Sequence, residues 1–81
     1  MSKADKMLLD LGFKQTEETL AIVYEEKDRF DKFRKIVIFN DCYYVDLVEI
    51  STNRYVGGGR VNKEEHLAIQ EKLKEIGWFN E

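Results

Sequence analysis

Apolar and polar positions change their spacing along the chain, and the spacing marks the elements. Ala4, Met7, Leu8 and Leu11 fall at i, i+3, i+4 and i+7, the spacing of one helix face. Ser2 precedes this run as an N-cap, with Asp5 three positions on in the manner of a capping box. Gly12 then offers a left-handed stop, and Phe13 stands where the residue after such a glycine packs back onto Leu8. A helix this short is marginal alone and needs a sheet to lie on. From Leu20 the pattern becomes β-branched and aromatic. Leu20 to Tyr24, Phe33 to Phe39 and Cys42 to Ile50 read as three strands, and Arg54-Tyr55-Val56 as a short fourth. Asn40-Asp41 is a tight-turn dipeptide. A hairpin centred on it pairs Phe39 with Cys42, Val37 with Tyr44, Lys35 with Asp46 and Phe33 with Val48. Helical spacing returns after Asn62, the second N-cap, with Glu65 placed to reach back to it. Ile69, Leu73 and Ile76 form the stripe of this helix with Ala68 at its margin; Gly77 stops it and Trp78 folds back onto Leu73. The expected fold is α+β: a helix, an antiparallel meander of three to four strands and a C-terminal helix packed on the sheet, forming one small domain over residues 1–81.

Composition narrows the function classes. The 81 residues are 43% hydrophobic, too apolar for a disordered segment and too few for two domains. A single cysteine supports no internal disulfide framework. No apolar run exceeds the five residues from Leu20 to Tyr24, so no membrane span is expected; charges around Met7-Leu8-Leu9 interrupt any signal-peptide pattern. A cytoplasmic protein is expected. Thirteen Lys and Arg against 16 Asp and Glu leave a net charge of −3, which lacks the basic surplus of a non-specific nucleic-acid binder. The sign-alternating stretch from Glu25 to Lys35 reads as a solvated loop with weak local ion pairs.

Certain blocks together resemble a group of small proteins encoded in phages and prophages of Gram-positive bacteria. These are Lys6-Met7-Leu8-Leu9-Asp10-Leu11-Gly12-Phe13, Ile22-Val23-Tyr24, Val37-Ile38-Phe39, Glu64-Glu65-His66-Leu67-Ala68-Ile69 and Glu75-Ile76-Gly77-Trp78. The blocks span most of the chain, and their shared features are helix stops, strand cores and a helix face. His66 before Leu67 and the run Gly57-Gly58-Gly59 depart from the group's pattern. The resemblance implies a phage or mobile-element accessory protein in a bacterial cytoplasm and implies no reaction.

Candidate chemistry is sparse. Cys42 and His66 are the only residues of their kinds, and neither a nucleophile–base arrangement nor a four-ligand metal set follows from them. Asp46 and Glu49 point to opposite faces of one strand, and Asp46 reads as the cross-strand partner of Lys35. No catalytic residue, metal ligand or cofactor is expected. Arg54, Gly57, Gly58, Gly59 and Arg60 form a candidate anion-binding loop before a helix, although the segment lacks a phosphate-loop motif and Glu64 and Glu65 follow it. A flexible or bulged connection is the plainer reading. A nucleic-acid or phosphate-ligand module using this loop is the second functional reading, with nucleic acid the less expected partner.

The strands supply the first reading. In the hairpin register, Ile36, Ile38, Tyr43, Val45 and Leu47 share one face. Phe33, Val37, Phe39, Cys42, Tyr44, Val48 and Ile50 share the other, interrupted by Lys35 and Asp46. A sheet with helices on one side should alternate apolar and polar positions. Burying the Lys35–Asp46 pair would be costly, which favours the first face as core. The Val37-x-Phe39 spacing of the resemblance points to the second, and the sequence leaves the choice open. One helix could cover each face, or the charged loop could fold over one. Otherwise Phe33, Val37, Phe39, Tyr44 and Val48 form an interaction surface for a protein partner or a second copy.

Overall fold

In the computed structural model, which describes residues 1–27 and 30–79, a five-stranded antiparallel sheet carries two helices on one face. The elements run α1 (Lys3–Asp10), β1 (Lys14–Thr16), β2 (Ile22–Lys27), β3 (Lys32–Ile38), β4 (Tyr43–Glu49), β5 (Arg54–Gly58) and α2 (Lys63–Glu75), and the strands lie in chain order. The fold is α+β as expected, with five strands instead of three or four. The added strand is β1, a polar Lys-Gln-Thr edge without an apolar pattern to announce it; it pairs with β2 through Lys14–Glu25, Gln15–Tyr24 and Thr16–Val23.

Both helix stops form as their sequences imply. Gly12 and Gly77 adopt φ values of 98° and 93°, and the amides of Phe13 and Trp78 donate to Leu8 and Leu73 at 2.9 and 3.0 Å. Ser2 Oγ accepts from the Asp5 amide at 3.1 Å; the Asp5 carboxylate does not close a capping box but turns to Tyr24 and Lys72. Asn62 and Glu65 do form the full box, at 2.8 and 3.0 Å. Ile76, expected in the buried stripe, is exposed, because α2 has ended and its cap has turned out.

The β3–β4 hairpin has the expected register, including Val37–Tyr44, Lys35–Asp46 and Phe33–Val48, and the Phe39 amide donates to the Cys42 carbonyl at 2.8 Å. The charged stretch Glu25 to Lys35 is not a long loop. It holds the end of β2 and the start of β3, with Glu25–Lys35, Glu26–Arg34 and Lys27–Phe33 in register. Its expected ion pairs at Asp28 and Arg29 lie outside the described residues. Asp31, at φ 59°, accepts from the Ser51 amide and hydroxyl at 3.0 and 2.5 Å and so ties this turn to the one after β4.

The core resolves the choice of face. Leu8 of α1, Phe13, and Ala68, Ile69 and Leu73 of α2 pack on Tyr24, Ile36 and Ile38, with Tyr43, Val45 and Trp78 at the margin. Both helices therefore sit on the face without the Lys35–Asp46 pair, and the charges this face does bury, Glu65 and Lys72, are held in ion pairs with Arg34 and Asp5.

Candidate functional site

The face opposite the helices is built from alternate positions of every strand. β1 contributes Lys14 and Thr16, β2 Val23 and Glu25, β3 Phe33, Lys35 and Val37, β4 Tyr44, Asp46 and Val48, and β5 Tyr55. Phe39 and Ile50 extend it beyond the ends of β3 and β4. All five residues of the expected interaction surface lie here, but at different depths. Val37 and Val48 form its floor at 5% and 9% exposure, beside Val23 at 3%. Phe33 and Phe39 are half-buried, and Tyr44 stands out at 45%. The Phe39 and Tyr44 rings pack against each other at 5.9 Å. Among the described residues no helix packs on this face, and residues 18–21 line one margin of it beside Val23 and Val37.

Two shallow grooves open on it. One of about 590 Å³ is lined by Gly12, Lys14, Thr16, Glu25, Phe33 and Ile50. The other, about 260 Å³, runs past Val23, Lys35, Val37, Phe39 and Tyr44 to Leu20, which is 88% exposed at the rim. Sequence reasoning placed Leu20 inside a strand; β2 begins two residues later, at Ile22, and leaves Leu20 outside. Thr16 and Glu25 are not legible as members of the surface because β1 and the extension of β2 to Lys27 carry no apolar pattern; Val23 lies in an expected strand, but its register against Val37 is set by tertiary pairing.

The helix-bearing face uses its charged groups internally. Arg34 Nη2 meets Glu26 at 2.6 Å and Glu65 at 2.5 Å, Nη1 donates to the Arg60 carbonyl at 3.1 Å, and the guanidinium lies 5.3 Å from the centre of the Phe13 ring. Burial works against the charged guanidinium, but Glu65 and Glu26 outweigh it and raise its pKa. Tyr24 donates to Asp5 at 2.5 Å, and Lys72 reaches the same oxygen at 3.2 Å. Burial pushes the Asp5 carboxyl up; the bonds from Tyr24, Lys72 and Ser2 more than reverse this and hold it below its ordinary value. Burial, reinforced by the Asp5 carboxylate, pushes the Tyr24 phenol up.

The residues of the candidate anion loop are not gathered into a cradle. Arg54, Gly57 and Gly58 belong to β5, the Gly59 amide donates to the Val45 carbonyl at 2.8 Å, and Arg60 follows, exposed. Gly59 lies close to the sheet: a Cβ there would stand 2.6 Å from Val45 Cγ1. Cys42 and His66 are held apart. Cys42 sits at the β3–β4 turn, the end of the sheet where Trp78 packs on Tyr43, whereas His66 lies near the start of α2. Desolvation and then Asp41 raise the exposed Cys42 thiol pKa, which disfavours the thiolate. Among the described residues no cluster of His, Cys, Asp or Glu could hold a metal ion, and no helix is long and apolar enough to cross a membrane. The sequence matches no family model, and no curated protein or solved structure matches it.

Proposed function

We propose that the chain is a non-enzymatic accessory protein of a phage or mobile element that acts by protein–protein contact, associating with a second copy through the open face of its sheet. The supporting observation is the placement of both helices on one face, which leaves Phe33, Phe39, Tyr44, Ile50 and Tyr55 gathered on the other. Apolar surface concentrated on one side of a small domain marks a contact surface more often than a solvated one. The floor valines are already out of water, so a partner gains mainly from the aromatic rim.

Sedimentation velocity over a wide concentration range tests this. The 9.6 kDa chain should shift toward twice that mass as concentration rises. Tyr44→Glu, at an exposed position, should remain monomeric with an unchanged circular dichroism spectrum. A wild-type chain that stays at 9.6 kDa up to millimolar concentration contradicts the reading.

A further inference from the structure

The open face carries its charge as one ordered row. Across the strands, Lys14 stands opposite Glu25, Glu25 opposite Lys35, and Lys35 opposite Asp46, so the signs alternate. On the helix-bearing face, Arg34, Glu26, Glu65, Asp5 and Lys72 are joined in ion pairs. Among the described residues, none of the four charges in the open row has such a partner within 4.0 Å. The row therefore has unused pairing capacity. It is flanked on one side by Thr16, Val23, Val37 and Tyr44, and on the other by Phe33, Val48 and Tyr55.

With the strands of the two sheets aligned, a two-fold axis can bring two such faces together in two senses. An axis along the row places Lys14 over Lys14 and each other charge over its own copy, which is repulsive throughout. An axis along the strands reverses the row, and its position then decides the pairing. Placed on β3 it stacks Lys35 on Lys35; placed on β2 it stacks Glu25 on Glu25. Between β3 and β4 it sets Glu25 over Gly58 and leaves both Lys14 and Glu25 without an opposite charge. Only between β2 and β3 do all four charges meet opposite charges.

Building on the self-association proposed above, we infer that two copies pack open face to open face about a two-fold axis along the strands between β2 and β3. Glu25 then opposes Lys35 of the second copy, and Lys14 opposes Asp46. The same operation returns the row Thr16, Val23, Val37 and Tyr44 onto itself, setting the exposed Tyr44 against Thr16 of the second copy above the already buried Val23 and Val37, and leaves Tyr55 of β5 outside the contact. Packed sheets stand about 10 Å apart, a gap that Lys and Glu side chains can close from both sides. Charges so placed choose the register and reject others more than they add affinity.

Charge exchange tests this register. Glu25→Lys and Lys35→Glu each place like charges opposite one another twice in a homodimer, and each should weaken self-association about tenfold or more. Mixed together they restore both oppositions. Fluorescence-detected sedimentation, with an amino-terminal dye on one variant, should show the mixed dimer forming with affinity close to that of the wild type. The doubly substituted chain restores both intermolecular oppositions and should dimerise more tightly than either single variant, although it sets like charges beside Lys14 and beside Asp46 within the chain; its urea midpoint separates pairing from folding. A wild-type dimer with no preferential mixed dimer, or one indifferent to the single substitutions, overturns this register and leaves the open-face reading standing. A wild-type chain that never dimerises overturns both.

Discussion

Arg34 joins parts of the chain far apart in sequence. Its fork holds Glu26 of β2 and Glu65 of α2, and Glu65 also completes the cap of that helix. Arg34→Ala would strand Glu65, only 3% exposed, without its counter-charge. A loss of about 3 kcal/mol is expected in urea unfolding, and Arg34→Lys should recover little of it because an ammonium cannot span both carboxylates. Asp5 and Tyr24 set the pH limits of the same core. Asp5 has its pKa lowered in the folded chain, so its contribution is present above the ordinary carboxylate value of 3.8 and is lost as pH falls through the folded value. Tyr24 has its pKa raised, so its contribution is present below the ordinary 10.0 and is lost as pH climbs above it. Urea midpoints measured against pH should fall less steeply toward acid in Asp5→Asn, and less steeply toward alkali in Tyr24→Phe, than in the wild type.

At the scale of elements, the three glycines after Val56 differ in what they do. Gly59 lies against Val45, whose branched side chain has little freedom to move aside, so Gly59→Ala should cost about 1–3 kcal/mol. Gly58 has open space around its Cβ position, and Gly58→Ala should stay within about 0.5 kcal/mol of the wild type. Thermal melts of the two variants separate these outcomes. The same contrast shows what the sequence could convey. Helix stops at Gly12-Phe13 and Gly77-Trp78, the Asn62–Glu65 box and the Asn40-Asp41 hairpin are local devices, legible because each is completed within a few residues. β1 was illegible because Lys14-Gln15-Thr16 becomes a strand only by borrowing the edge of β2. The Glu25–Lys35 stretch looked like a loop because its charges sit on two faces with different duties. Glu26 and Arg34 are held internally beside α2, and Glu25 and Lys35 point to the open side. The open face was visible as a doubly apolar hairpin, but its full width, and the burial of Val37 and Val48 within it, depended on tertiary neighbours.

For the whole molecule, the composition and the architecture converge. An 81-residue chain with 43% hydrophobic positions places two helices on one side of a five-stranded sheet, and among the described residues no helical layer covers the other. A second copy would supply that layer, and the alternating charge row would give it one orientation. The most direct measurement is an isotope-filtered NOE experiment on an equimolar mixture of labelled and unlabelled protein at a concentration where the dimer is populated. Intermolecular contacts are expected between Tyr44 of one copy and Thr16 of the other. Intermolecular contacts confined to the helix side, at Leu9 or Leu67, or none at any concentration, would contradict the account.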